Sequence, residues 1–502
     1  MKMIELFTRA QIHDSAIALT EGNKKLSYRD LLDLSGQVAS ALLDERDDLK
    51  EERIAFYIPC SHEHVTTMWG IWRAGGIAIP LNVSYARPDL EHVLINAGVN
   101  RVIVPAEYLT KINTVCDDLG IDLLLTEEMI GAPIKQLPQI DPKRAAMMLF
   151  TSGTTNKPKG VVTTHDNIES QITTLVEAWG WRQDDRIPLF LPLHHIHGII
   201  NVLSCALWTG ATVDLYEKFD SKNVLEQVSA GKYTVFMAVP TIYVKLIRFL
   251  DETEPETRQK ICDGFRKMRL MISGSAALPA SIHEHWQNLT GQALLERYGM
   301  TEIGMGISNP LNGERRPGAI GQALPGVSVR LVSESGDEIT EEDTPGEICI
   351  KGRSVFREYW QNPKATEESF SDGWFKSGDM AVMERGYYRI LGRLSVDIIK
   401  SGGEKISALE IEDALRMHET IAEVAVVGIP DETWGEAVAA MVTLKEGTDL
   451  NLVQLKEWAS DRLTNYKIPK HLMVVEELPR NAMGKVTKPA VKETMMGELK
   501  DV

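Results

Sequence analysis

A chain of 502 residues is too long for one hydrophobic core, and a composition of 43% hydrophobic and 25% charged residues is that of a globular protein of two to four domains. With 71 acidic and 54 basic residues the net charge is −17, which sets aside nucleic acid and anionic membrane surfaces as principal partners; an anionic substrate would need a local positive pocket. Cys60, Cys116, Cys205, Cys262 and Cys349 are odd in number, scattered and without C-x-x-C spacing, so neither a disulfide framework nor a zinc site is indicated. Residues 1–22 hold no apolar signal-peptide core and no run of 18 apolar residues follows, so a cytoplasmic protein without membrane insertion is expected, with a homodimer left open.

In chain order, Ser27 is placed to cap a helix running through Leu43, and Arg53 to Ile58 reads as a short buried strand. His64 to Arg73 is helical up to Gly75-Gly76, Ile77 to Pro80 extended, Asp89 to Ala97 helical, and Val102–Val104 and Leu123–Leu125 extended. Strands alternating with helices of this length predict βαβ units on a mostly parallel sheet. The apolar run Ala145 to Phe150 is a further strand, and it opens onto Thr151-Ser152-Gly153-Thr154-Thr155-Asn156-Lys157-Pro158-Lys159-Gly160. Glycines admit backbone N–H groups close to an anion, hydroxyls add donors and lysines add charge, so this loop is suited to a polyphosphate. It is not a Walker loop, because six residues rather than four separate Gly153 from Gly160 and Val161 follows. Such a loop on the carboxyl edge of a parallel sheet lies where α/β proteins bind ligands.

Further strands are predicted at Leu189–Leu193, Thr212–Leu215, Val235–Val239 and Leu270–Ser273. Between the first two of these, His194, His195 and His197 fall within four residues; such a cluster can bind a metal, but spacings of one and two are not a common zinc pattern, and His194 is also placed to cap a helix after Gly198. From about Gly321 the texture becomes β-rich, with short pieces at Val327–Val332, Gly346–Gly352 and Tyr387–Leu391. After Arg393 a compact α/β unit begins: Ile411–His418 helical, Val424–Ile429 and Val438–Leu444 extended. The fold class is therefore α/β: a large N-terminal domain over residues 1–392 whose part from about 321 is β-rich, a connector at 393–397, and a small α/β domain over 398–502.

The loop at 151–160 resembles the signature phosphate loop of the acyl-adenylate-forming superfamily, which comprises acyl-CoA synthetases, luciferases and the adenylation domains of peptide synthetases. The superfamily's other signatures follow in order: Tyr298-Gly299-Met300-Thr301-Glu302, Ser377-Gly378-Asp379, Leu391-Gly392-Arg393 and Pro479-Arg480-Asn481-Ala482-Met483-Gly484-Lys485. Asn156 stands where the superfamily usually has Gly, and Asn is the residue other than Gly that best tolerates a left-handed backbone. The resemblance implies ATP, Mg2+ and coenzyme A as cofactors and a mobile C-terminal lid. It implies that Thr151, Ser152, Gly153, Thr154, Thr155 and Lys159 hold phosphates, and that Gly274, Ser275 and Ala276 floor the adenine and acyl pockets. Tyr298 would stack on adenine, Thr301 touch phosphate, Glu302 carry Mg2+, and Asp379 clamp the ribose beside Arg393. His195 would gate the acyl pocket, Met300 line it, Gly402 and Gly403 border the pantetheine arm, and Lys485 bridge carboxylate and α-phosphate. The residue types suit these roles, with a π face for a base, a hydroxyl or ammonium for a phosphate and a carboxylate for a hard cation. In the connector Ser395 occupies the usual pivot position, with Val396 and Asp397 as neighbours that can share the rotation.

Within the superfamily the chain resembles in particular the malonyl- and methylmalonyl-CoA synthetases, through Leu295–Glu302, Ala238–Lys245 and Val355–Trp360. That resemblance places Arg297 and Lys245 against the distal carboxylate of a small dicarboxylic acid, since burying its second charge without a fixed positive group would be prohibitive. The alternatives are a medium- or long-chain fatty-acid–CoA ligase, an adenylation enzyme loading a carrier protein, and a non-catalytic nucleotide-binding homologue. The last is opposed by the joint presence of Lys159, Glu302, Asp379 and Lys485.

Overall fold

A computed structural model describes residues 4–151, 158–402, 404–431, 433–480 and 486–498. The chain forms two compact units: Met1–Val329 with Ile350–Phe375, and Arg330–Cys349 with Lys376–Val502.

In the first unit the seven-stranded sheet runs, in spatial order, Glu358–Tyr359, Lys159–Thr164, Ala145–Thr151, Ile77–Pro80, Arg53–Phe56, Arg101–Val104 and Asp122–Leu125. The five strands from Ala145–Thr151 onward are parallel, and the first two pair antiparallel at one edge. Parallel strands covered on both faces must be apolar throughout; Ile77–Pro80 is buried at every position and Ala145–Thr151 at all but the last. A five-stranded sheet follows, with Val235–Ala238, Leu270–Ser273 and Leu295–Met300 parallel and Gly304–Ser308 antiparallel to the third. A four-stranded sheet combines Lys24–Ser27, Ile17–Glu21, Thr212–Leu215 and Arg186–Leu189.

Helix Tyr28–Leu43 is capped as its sequence predicts: Ser27 accepts from the Asp30 N–H while the Asp30 carboxylate accepts from the Ser27 N–H. Two buried tryptophans tie helices to the strands that reach the site. Trp72 Nε1 donates to Ala146 O at 2.7 Å, and Trp179 Nε1 donates to Ser308 Oγ at 3.0 Å. The expected strand at Leu189–Leu193 ends instead at Leu189, and a π-helix spans His197–Ser204. This helix starts before Gly198 and has no side-chain cap, so the capping role read for His194 is corrected: its ring packs on that of His195, 4.2 Å between centroids.

The second unit carries a five-stranded sheet of Glu404–Ser407, Ile398–Ser401, Gly435–Leu444, Ile421–Asp431 and His471–Val474 with helices Ala408–Leu415, Leu452–Ser460 and Lys488–Glu498. It also holds the antiparallel pairings of Leu331 with Ile339 and of Asp379 with Arg393. Four of the five cysteines are buried and Cys60 is half-buried; burial pushes the thiols of Cys60, Cys116 and Cys349 up, that of Cys60 to about 12. No described helix is long and apolar enough to cross a membrane.

The four-stranded sheet is pinned by one buried carboxylate. Asp214 accepts from Thr20 Oγ1 at 2.5 Å, Arg186 Nε at 2.9 Å and Tyr233 OH at 3.1 Å, and pairs with Lys232 at 2.5 Å. Burial opposes its charge, but the bonds from Lys232, Thr20 and Arg186 prevail and hold its pKa below the usual carboxylate value. A depressed folded-state pKa gives stability that is complete above the unfolded-state pKa and lost as pH falls through the folded one. Asp214→Asn is expected to cost about 3 kcal/mol at neutral pH in urea denaturation, with the gap to wild type shrinking as pH drops below about 4.

Candidate active site

In the first unit the strands Ala145–Thr151 and Lys159–Thr164 meet at the register pair Thr151–Lys159, which closes the base of the predicted phosphate loop. Ser152, Gly153, Thr154 and Thr155 lie outside the described residues. The Lys159 ammonium sits 5.1 Å from the centroid of the Tyr359 ring, and the Tyr359 hydroxyl donates to Glu302 Oε1 at 2.9 Å. One tyrosine, paired with Val161 across the sheet edge, therefore touches both the lysine and the carboxylate that the sequence sets far apart.

Glu302 is buried and follows a strand, Leu295–Met300, that carries Arg297, Tyr298 and Met300; Thr301 is half-buried at the turn. The turn back into Gly304–Ser308 needs glycine at 304: its φ is +67°, and a Cβ there would overlap Gln171 Oε1, which accepts from the Met305 N–H. Tyr298 is 8% exposed.

Beside it, the strand Leu270–Ser273 runs into Gly274, Ser275 and Ala276. A Cβ on Gly274 would lie 2.5 Å from Arg297 Cζ, so the guanidinium lies against bare backbone. Ser275, exposed and at φ +69°, brings its Oγ to 3.1 Å from His197 Nδ1, and Arg297 Nη2 donates to the same oxygen at 3.4 Å. Arg297 and His197 are each 4% exposed, and among the described residues neither Arg297 Nε nor His197 Nε2 has a hydrogen-bond partner. Burial lowers the Arg297 pKa to about 9, and burial, then Arg297 and His195, hold His197 well below its ordinary value. A neutral imidazole, a hydroxyl and an incompletely bonded buried cation make a donor set that an anion such as a carboxylate would satisfy.

Lys245 is the residue that the resemblance pairs with Arg297. Lys245 is exposed on helix Pro240–Glu252 and, among the described residues, has no ion-pair partner. His195 is half-buried against His194, and it is His197 that reaches Ser275. No metal-holding group of three His, Cys, Asp or Glu side chains exists among the described residues.

In the second unit Asp379 and Arg393 stand opposite each other across an antiparallel pair, with Arg393 Nε donating to Asp379 Oδ1 at 2.9 Å. Gly402, at φ +61°, is packed under Trp434, whose ring would come within 2.8 Å of a Cβ there. Gly403 and Lys485 lie outside the described residues; the base of the Lys485 segment is closed by a bridge between Arg480 and Val486 and by an Arg480–Glu423 ion pair of 2.6 Å.

The pattern described as "AMP-binding enzyme" matches residues 6–360, and that described as "AMP-binding enzyme C-terminal domain" matches residues 410–485. The chain belongs to the AMP-binding enzyme family. A mitochondrial malonate–CoA ligase of Homo sapiens is 43% identical to it over 97% of this chain and 91% of its own length. A malonate–CoA ligase of Arabidopsis thaliana is 37% identical over 97% of this chain and 88% of its own. Among solved structures, ATP-bound MatB from Rhodopseudomonas palustris is 34% identical and superposes with a TM-score of 0.89 over 98% of this chain and 99% of that one.

Sequence reasoning passed over Tyr359, Trp434 and the particular role of His197 in this family member. The sequence holds no signal that singles out His197 among the three histidines; in the structure it opens the π-helix just before Gly198, whose Cβ would press on Pro192 O. Gly274→Ala is expected to displace the Arg297 guanidinium and to cost about 1–3 kcal/mol in urea denaturation, the usual effect of overpacking a filled site.

Proposed function

We propose that this protein is an ATP-dependent acid–CoA ligase acting in two steps on malonate or a closely similar small dicarboxylic acid. In the first step the acid's carboxylate attacks the α-phosphorus of ATP, giving acyl-adenylate and pyrophosphate; in the second the thiol of coenzyme A displaces AMP. Dividing the reaction gives the acyl group a good leaving group. The observation that carries the substrate choice is the pair of buried side chains, His197 and Arg297, that meet at the exposed Ser275 hydroxyl beside Gly274. A monocarboxylic fatty acid would bring no anion to it, whereas the distal carboxylate of a dicarboxylic acid answers the open Arg297 Nε and His197 Nε2. The similarity to malonate–CoA ligases along nearly the whole chain supports the same reading.

In this reading Arg297 orients the distal carboxylate, which leaves the other carboxylate to face phosphorus, and Met300 and His195 border the acid. Tyr298 offers its ring to adenine, and Asp379, held in place by Arg393, accepts from the ribose hydroxyls. Thr301, Lys159 and the loop from Thr151 contact phosphates, and Lys485 stabilises charge at the reacting oxygen. Glu302 fits Mg2+, since a single carboxylate together with nucleotide phosphates is the usual ligand set for that ion, and the ion when bound would offset phosphate charge. The Tyr359 hydroxyl fixes where that carboxylate points. Gly402, its Cα covered by Trp434, and Gly403 would pass the narrow pantetheine arm.

For the rotation between the steps the pivot falls to Ser395 and Val396. Asp397 is tied down on both sides, accepting from the Arg393 N–H at 2.9 Å and pairing with Lys488 at 2.6 Å, while Ser395 is exposed.

AMP formation, measured with and without CoA across malonate, methylmalonate, succinate, acetate, octanoate and palmitate, is expected to favour malonate or methylmalonate; preference for octanoate or palmitate would overturn the substrate choice and leave the reaction class. Arg297→Leu is expected to raise the KM for malonate by about 100-fold, the loss of one buried charged hydrogen-bond partner, and to leave the KM for ATP within about twofold. An equal rise in both would remove Arg297 from the acid pocket.

A further inference from the structure

The π-helix His197–Ser204 carries an unusual interior residue. Its wide turn, with Ser204 Oγ donating to Ile199 O at 2.7 Å, places Asn201 in the core at 0% exposure. Both amide atoms of Asn201, Oδ1 and Nδ2, are without a hydrogen-bond partner among the described residues. Gln171, on helix His165–Ala178 and 4% exposed, has its Oε1 engaged by the Met305 N–H while its Nε2 is likewise unpartnered. The two amides line one cavity of about 20 Å³, together with Thr163, Thr301, Met147 and Ile200.

A buried amide without partners costs about 1–3 kcal/mol, and two such side chains lining the same small space is not an arrangement that packing alone favours. The chemistry of the lining limits what satisfies them. No lining side chain is charged, so an ion has no counter-charge there. An apolar group would leave three amide atoms unpaired. The volume matches one water molecule, which offers two donors and two acceptors to amide and hydroxyl neighbours.

We infer that Asn201 and Gln171 hold one ordered water that braces Thr301 from behind. The water accepts from Gln171 Nε2, exchanges bonds with the Asn201 amide and completes its shell on the Thr301 hydroxyl side, so that the π-helix bearing His197 and the turn bearing Thr301 share one anchor. Asn201 is thus a positioning residue: it acts on phosphate contact through Thr301, and on the acid pocket only as the helix neighbour of His197. The kinetic consequence rests on the acid–CoA ligase reading, whereas the water site does not.

The test has two arms. A crystal structure of the full chain, at a resolution that shows ordered solvent, is expected to place a water within hydrogen-bond distance of both Asn201 and Gln171 Nε2. Asn201→Leu, which fills the space with an apolar group, is expected to stay folded in a urea titration and to keep the KM for malonate while lowering kcat of ATP–pyrophosphate exchange about tenfold, the weight of one bridging bond realised in the transition state. Asn201→Ser, which keeps a hydroxyl and makes room for a second water, is expected to restore most of that rate. If Asn201→Leu does not fold, Asn201→Val carries the same comparison. Clear density with no water between the amides overturns the inference, as does a folded Asn201→Leu enzyme with wild-type kcat. Absence of exchange with every acid in the wild type would sink the ligase reading and leave the crystallographic arm to decide the water.

Discussion

A guanidinium enclosed with no ion-pair partner among the described residues sets the terms for the first unit. Arg297 is 4% exposed, and burial alone takes its pKa down to about 9. A cation kept in such surroundings is a stored electrostatic cost, one that folding tolerates because strand Leu295–Met300 is held between Leu270–Ser273 and Gly304–Ser308 and has no freedom to turn the side chain outward. The neighbouring glycine is part of the same solution. At position 274 any side chain would occupy the space of Arg297 Cζ, so the absence of a Cβ and the presence of the charge imply each other.

The rest of the first unit can be read as the frame for that strand and for the phosphate loop. Trp72 and Trp179, each bonded through its indole N–H to a strand, fix a helix against Ala145–Thr151 and another against Gly304–Ser308. Burying side chains of that size contributes on the order of 2–3 kcal/mol apiece, and the indole bonds add direction to what would otherwise be unoriented packing. Tyr359 then ties the edge strand to Glu302, so loop lysine and carboxylate keep their spacing before any nucleotide arrives. The second unit repeats the principle on a smaller scale, since Asp379 is oriented by an arginine placed directly opposite in the sheet register.

Local features were legible in the sequence because they depend on neighbours a few residues away. The Ser27 cap, the apolar run before the loop, the glycine-bounded turns and the α/β alternation all follow from short-range chemistry. The family resemblance singled out Arg297, Glu302, Asp379 and Arg393, and all four are buried or partnered in the structure. What was not legible depends on which faces meet. The resemblance pairs Lys245 with Arg297, but no local pattern says which face of helix Pro240–Glu252 each residue takes: Lys245 is on its exposed side while Tyr243, two residues earlier, points inward to bond Ile272 O. Among three adjacent histidines, only the start of a π-helix selects His197 for Ser275, and π-winding leaves no periodic signature in the side chains. Tyr359 lies 57 residues from Glu302 along the chain, a distance no local pattern bridges.

The burial of the cysteines has a use outside the chemistry of the site. Cys116, Cys205, Cys262 and Cys349 are enclosed, and Cys60 is held as a thiol by its surroundings. Thiolate, not thiol, is the species that alkylating reagents capture, so burial works against reaction of the native sulfhydryls with maleimides at neutral pH. A single cysteine introduced at an exposed position such as Ser395 is then the favoured site for a fluorophore or spin label, and whether the connector moves can be asked in the natural background without first stripping the chain of its own sulfur.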